Sequence, residues 1–432
     1  MAARTQFAAR PPESATKSKE RVSGGKFAGT HGWEVLDMKL TVGLSDALRI
    51  TRALRAQRVD LHCLPHGELQ APDPSPAKRW RARIIPLDSL YLQQHPCSEH
   101  PLEVLVDSEG KAPRAQFMHV SSLQSDLLPK GSFLKVNEEI WIPCPELLFV
   151  LMGALLPPAD HLSLGLELCG EFSLDATRPT GGKTTFGVPQ ATTATEISSF
   201  LRDSTRIHLW GMKQAKRLSA LISDDAWSPM EASVAVPLSL GIEDCGYGLG
   251  PITLNKRIRN SSKFSGSRLS RVPDILFTGT HIGLNYDGAG HLPLEAVANA
   301  GINLGMNPGD SYRERELANA TRAVRNKFLD DRHRDRELLA SGLQVIPITS
   351  EDLYEPGGLD QVAKWAIGRI EAEGSRELGL QRAALGSPAL TADRQELIWS
   401  LLPGPIGERA RAKRRAQSAP CHARRSLPAN VT

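Results

Sequence analysis

Apolar and polar positions alternate in clear registers along most of the chain. From Met38, "MKLTVGLSDALRITRALRA" spaces Leu48, Ile50 and Leu54 as one face of an amphipathic helix, with Ser45 or Asp46 as its N-cap. Between about residues 58 and 144, short β-rich runs such as "RARIIPL", "LEVLV" and "SFLKV…EIWIP" alternate with turn signals. "PELLFVLMGALL" then reads as a buried helix, so residues 38–172 form an α+β N-terminal domain in this reading.

Residues 173–193 are rich in Thr, Gly and Pro and read as a flexible linker. Within it, "TGGKTT" is like a phosphate loop, but the first glycine of that motif would fall on Thr177. "FGVP" follows where a helix should begin, so an ordinary loop is expected.

After the linker, a capping box from Thr193 to Glu196 heads a helix, and "GMKQAKRLSALI" continues the helical pattern. "SPMEASVAVPL" offers Ser228 as N-cap, Pro229 at the first helical position and Glu231 in the first turn. Two strands, "DILF" and "HIGLNYD", are joined by "TGT". A long helix over roughly 313–341, the buried strand "LQVIPIT" and the amphipathic "LDQVAKWAIGRIE" complete residues 194–374. Helix, hairpin, helix, strand, helix is the order of an α/β sandwich.

The two ends differ from the middle. Residues 1–37 are polar, basic and rich in Gly, Ser and Pro; disorder is expected there, with Met38 the functional start. Residues 375–432 read as a mostly disordered basic tail, apart from a short helix around "DRQELIWSLL". Arg409, Arg411, Lys413, Arg414, Arg415, Arg424 and Arg425 follow Glu408, a block able to bind nucleic acid weakly through phosphates.

Composition narrows the classes. With 432 residues, 41% hydrophobic and 23% charged, the chain can build a real core, and its net charge of +4 does not by itself argue nucleic-acid binding. Six scattered cysteines contain no CxxC pair, which argues against a zinc ribbon; reduced thiols are expected. No run approaches the ~18 apolar residues of a membrane span, nor has the N-terminus a secretory apolar core. A cytoplasmic protein with no membrane association is the expectation.

Candidate chemistry gathers at the hairpin. Metal-dependent phosphodiester cleavage needs carboxylates converging on one sheet edge to hold Mg²⁺. Asp274 opens the first strand. On the second, Ile282, Leu284 and Tyr286 alternate with Gly283, Asn285 and Asp287, so one face is apolar and the other polar. A tight turn brings Asn285 and Asp287 near Asp274, and Glu231 on the preceding helix can approach the same edge.

The literal Pro273-Asp274, then ten residues to Asn285, resembles the PD-(D/E)xK restriction-endonuclease-like superfamily. The run "NYDGAGH", holding Asn285, Asp287, Gly288 and His291, resembles the branch near the very-short-patch-repair endonucleases, as found in uncharacterised actinobacterial proteins. So does the set Asp331, Arg334, Asp335, Leu338 and Gly342 before "LQVIPIT". "CPELLFVLMGALL", "LGLELCGEF" and "SPMEASVAVPL" resemble segments of such proteins whose N-terminal part has an abortive-infection-type antitoxin pattern.

The resemblance implies a restriction-endonuclease-like sandwich preceded by a smaller α+β domain. It implies a DNA-acting protein in defence or mobile-element biology, with Asp274, Asp287 and Glu231 as Mg²⁺ ligands. Where that branch has a central Glu, this chain has Asn285, and the superfamily's lysine position is Asp287. Asn offers one neutral oxygen in place of a full charge. Three readings follow: a weakened Mg²⁺-dependent endonuclease; a catalytically inactive DNA-binding or antitoxin-like regulator, with room for a protein partner; and, because the basic surface is modest, a structural interaction protein without nucleic acid. Arg332, Arg334 and Arg336, with His291, are the candidate nucleic-acid contacts; a solvated, salt-bridged helix face is the bland alternative for the arginines. His95, Cys97 and His100 fit no standard metal-ligand spacing and read as a polar loop; His66 and His161 show no partner in the sequence. Trp227 reads as a core anchor for the helix that follows.

Overall fold

The structure is a computed structural model that describes residues 39–70, 80–204, 208–259, 269–288 and 294–422. The expected disorder of residues 1–37 and the start at Met38 lie outside the described residues. What is described forms one compact unit of mixed α/β architecture.

The first sheet is built from β1 (Leu40–Val42), β2 (His66–Gly67), β3 (Leu102–Val106), β4 (Met118–Ser122), β5 (Phe133–Lys135) and β6 (Ile140–Pro143), with α1 (Leu44–Ala56) following β1. The order is β2-β5-β6-β1-β3-β4, with β1 parallel to β6 and antiparallel to β3. Here the pattern misled. Leu40, Thr41 and Val42 are fully buried as a central strand, so α1 begins only at Leu44, behind Gly43 and without a side-chain cap. Asp46 instead accepts the Glu103 N–H (2.8 Å) and pairs with Arg49 (2.6 Å). "RARIIPL" is a single 3₁₀ turn at Ala82–Ile84 rather than a strand. Pro86 has no N–H to give a ladder, which disfavours pairing there.

Two helices opened by proline, α2 (Pro145–Met152) and α3 (Pro158–Leu168), carry much of the core. The expected linker is a packed segment. It holds the hairpin of β7 (Phe172–Ser173) with β8 (Thr185–Phe186), and Val188, Ala191 and Thr192 are buried. Arg55 of α1 fixes it, donating to the carbonyls of Gly170 (2.6 Å) and Pro189 (3.2 Å). Long-range bonds of this kind leave no local mark in a sequence. β8 begins at the last residue of "TGGKTT", Thr185, so no helix opens there.

Three helices come next: α4 (Ala194–Asp203), α5 (Met212–Ser219) and α6 (Pro229–Ser239). The capping box of Thr193 with Glu196 and the Ser228 cap are present as the sequence predicts. Beyond them lie β9 (Ile252–Leu254), the short pair β10 (Ile258–Arg259) and β11 (Ser270–Arg271), and then β12 (Ile275–Phe277) and β13 (Ile282–Asp287). Two helices, α7 (Leu294–Met306) and α8 (Ser311–Ala340), lead to β14 (Gln344–Thr349). β14 lies parallel to β13, and such a pairing requires a crossover of this kind.

The second sheet has the order β14-β13-β12-β9. Its sides are distinct. Ile275, Phe277, Ile282, Leu284 and Ile348 join the main core, whereas Leu276 forms a smaller cluster with Leu338 of α8 and Leu343. α9 (Ser350–Tyr354) and α10 (Gly358–Ala372) follow, and α10 packs against β13. The second sheet therefore has helices on both faces.

The expected disordered tail is a further correction. α11 (Gly379–Leu385), α12 (Pro388–Leu401), where the sequence predicts a short helix, and α13 (Gly404–His422) continue the fold. Leu397, Ile398 and Leu402 are buried where α12 meets α3 and α6, and Arg394 is 1% exposed on Asp360. Each leucine or isoleucine so buried contributes roughly 1.5–3 kcal/mol, enough to order a segment whose surface is otherwise charged. Residues after His422 lie outside the described residues.

Candidate functional site

β12 and β13 meet through the turn Thr278–Thr280, where Gly279 has φ +80°, a left-handed conformation that L side chains rarely adopt. The Thr280 hydroxyl donates to the Phe277 carbonyl (2.9 Å). The register pairs Ile275 with Leu284 and Leu276 with Gly283, as the alternation predicts. Ile282 and Leu284 are fully buried.

Asp274 stands just before β12, level with Asn285 on the neighbouring strand. Its N–H donates to Asn285 Oδ1 (3.2 Å), and its own Oδ2 accepts the Tyr286 N–H (2.6 Å). Asn285 is 1% exposed, and its Nδ2 is buried with no hydrogen-bond partner among the described residues. The Asn285 oxygen that could face a cation is thus engaged by a backbone amide, while its two N–H donors remain unused.

Asp287, two residues on, faces α8. Arg334 Nη2 lies 3.4 Å from Asp287 Oδ1 and 3.9 Å from Asp331 Oδ1. Lys327 lies 3.6 Å from the same Asp331 oxygen. Arg334 Nε is buried and lacks a partner among the described residues. Sequence reasoning placed Arg334 among outward phosphate contacts; in the structure its guanidinium supplies a cation beside Asp287.

Glu231 is held by its own helix start. Its Oε2 accepts from the Trp227 N–H (2.9 Å) and from Asn255 Nδ2 (2.6 Å), and its Oε1 accepts from the Ser228 hydroxyl (2.9 Å). Burial pushes the Glu231 carboxyl up from its ordinary range, and the Asp274 charge adds to this, opposed by those hydrogen bonds. Glu231 and Asp274 therefore sense one another. Even so, no group of three or more His, Cys, Asp or Glu side chains that could hold a metal ion occurs among the described residues. As arranged, the oxygens suit a metal poorly: Asn285 Oδ1 faces an amide N–H, Asp287 faces a guanidinium, and Glu231 caps α6.

The remaining candidates separate cleanly. Arg332 lies over the Phe328 ring at 5.4 Å and 3.6 Å from Asp335, its side chain 55% exposed. Arg336 is exposed and donates to the Arg332 carbonyl (3.3 Å). His291 lies outside the described residues. Trp227 is 41% exposed rather than a core anchor, and its backbone N–H, not its ring, serves α6. His95, Cys97 and His100 are exposed, linked through the Cys97 N–H to the His100 carbonyl (3.1 Å).

One network escaped the sequence reading. Arg271, 6% exposed, donates from Nε and Nη2 to Glu337 (2.7 and 3.2 Å) and from Nη1 to Asp330 (3.0 Å), pinning β11 to α8. A glutamate directly before the buried Leu338 was the available signal. Comparison with protein families, with characterised proteins and with solved structures finds no match for this chain.

Proposed function

We propose that residues 194–374 are a restriction-endonuclease-like sandwich of the PD-(D/E)xK type whose cleavage centre has become an internal hydrogen-bond network, and that the protein acts by binding DNA rather than cutting it. One observation carries this reading: the position of the branch's central glutamate is Asn285, bonded to the Asp274 amide, and the neighbouring Asp287 faces Arg334. The helix-flanked four-stranded sheet and the predicted hairpin register support the fold. Arg332 and Arg336, on the solvent side of α8, are the phosphate contacts in this reading. The mutual influence of Glu231 and Asp274 favours the second reading, weak Mg²⁺ binding with slow cleavage.

A paired binding and cleavage assay on duplex DNA with Mg²⁺ or Mn²⁺ separates them. The wild type is expected to bind DNA without cutting it. Arg332→Ala with Arg336→Ala should lower the salt dependence of binding by about two ions. Asn285→Glu should tighten Mg²⁺ binding, because a carboxylate beside Asp274 and Asp287 attracts the hard cation. Vigorous wild-type cleavage abolished by Asp274→Ala would establish the active enzyme instead. Absence of DNA binding would remove both readings.

A further inference from the structure

A cavity of about 780 Å³, far from the hairpin in sequence, opens between the start of α3, α12 and α13. Its volume suits a small organic ligand, the usual range being roughly 300–1,000 Å³. One wall is cationic. Of its four basic groups, Lys413 is paired with Glu396 (2.6 Å), while Arg411, Arg414 and Arg415 are in no ion pair among the described residues. Arg411 is anchored: its Nη1 donates to the carbonyls of Ser400 (2.7 Å) and Leu402 (2.9 Å) at the end of α12. Its Nη2 is buried and has no hydrogen-bond partner among the described residues. A buried guanidinium N–H without an acceptor is costly, so a small shift of this side chain toward an anion in the cavity would be favourable.

The lining also includes the apolar Leu155, Leu156 and Pro356, the carboxylate Asp393, and Trp399, which is held in place by its Nε1 on the Tyr354 carbonyl (3.0 Å). Asp160 also lines the cavity. Burial pushes its carboxyl up although all three arginines attract it, and its negative charge competes with an incoming anion for them. A second cavity of about 620 Å³ shares Asp160, Arg411 and Arg415 with the first and is bordered by Thr180, Gly181 and Gly182. The glycine-rich turn singled out in the sequence thus borders the same arginines, though no helix follows it.

We propose that this cavity binds a nucleoside phosphate, its phosphate held by Arg411, Arg414 and Arg415 and its base lying against Trp399 and the apolar side chains. The ligand is either a free nucleotide or the 5′-phosphorylated end of a DNA strand, since both present the same chemistry. The assignment goes beyond the hairpin reading and stands without it.

Calorimetric titration of the full chain with adenosine 5′-monophosphate, adenosine and inorganic phosphate tests it. The monophosphate should bind at least about tenfold more tightly than either fragment, because the arginines and the apolar side chains must both be used. Arg414→Glu with Arg415→Glu should weaken it by about tenfold or more. Asp160→Asn, which removes a like charge from the site, should tighten it several-fold. This gain of binding cannot arise from misfolding. A 5′-phosphorylated oligonucleotide that displaces the monophosphate, where its 5′-hydroxyl twin does not, assigns the site to DNA ends; failure of both to displace it assigns the site to free nucleotide. The proposal is overturned if the monophosphate does not bind at millimolar concentration, if inorganic phosphate binds as well, or if the double variant with an unchanged melting temperature binds like wild type.

Discussion

Two of the buried polar networks among the described residues are finished to different degrees. Around the first sheet, Arg55 is 1% exposed and places its donors on the carbonyls of Glu167, Gly170 and Pro189. The Glu167 carboxylate takes both Nε and Nη2 of Arg52 (2.9 and 2.6 Å) and the Leu174 N–H (3.0 Å). The attraction of Arg52 and these hydrogen bonds hold Glu167 below the usual carboxylate range against the opposing effect of burial. On the α8 side of the second sheet, Asn285 Nδ2 and Arg334 Nε are buried without partners among the described residues. A completed network fixes α1, α3 and the segment after β7. An incomplete one keeps donors in reserve beside Asp274 and Asp287. Because an unsatisfied buried donor costs free energy, the pair at Asn285 and Arg334 marks this sheet face as a candidate for ligand contact, as Arg411 Nη2 does at the cavity.

The largest test of the contrast is Arg55→Ala. It leaves the buried carbonyls of Glu167, Gly170 and Pro189 without their donor, while Arg52 still holds the Glu167 carboxylate, and should cost about 3–5 kcal/mol, read from the urea midpoint. A loss below about 1 kcal/mol would erase the distinction.

Next is pH. His161 is fully buried, stacked on Phe149, with Nε2 on the Phe149 carbonyl (2.8 Å) and Nδ1 on Gln214 (3.1 Å). Burial lowers its pKa from 6.5 to about 4. The unfolded chain therefore binds the proton first as pH falls. The stability that His161 contributes is complete above pH 6.5 and is lost between pH 6.5 and about 4, a change on the order of 3 kcal/mol. His161→Gln should flatten that part of the stability profile; an equally steep profile would locate the titration elsewhere.

The smallest effect belongs to the unfinished network. Asp287→Ala and Arg334→Ala should each cost about 1–2 kcal/mol, with a coupling of about 0.5–1 kcal/mol in a double-mutant cycle. Zero coupling would mean that the 3.4 Å contact binds nothing and that Arg334 serves Asp331 alone.

What was legible in the sequence was what is local. The Thr193 box, the Ser228 cap, the "TGT" turn and the alternation of Ile282 to Asp287 each rest on contacts within a few residues, and each stands in the structure. What stayed hidden depends on partners far along the chain. β1 is a strand because β3 and β6 flank it. The expected linker is ordered by Arg55, and the order of α11 and α13 beside the expected α12 likewise left no local mark. At the candidate site, the positions of Asp274 and Asn285 could be read from the hairpin, but Arg334 turning inward could not. Its direction is set by where α8 crosses the sheet, and no spacing within the helix encodes that.

The parallel pairing of β13 with β14 has a consequence for synthesis. Ile282 finds Gln344 only after α7 and α8 have both left the ribosome. Until then the hairpin stands with β13 as an open edge, its row of N–H and C=O groups free to pair with any passing strand. The central Ile282 and Leu284 lie on that edge. Ribosomes pausing within the codons for α8 should therefore raise the aggregated fraction of the nascent chain, and pauses after β14 should not.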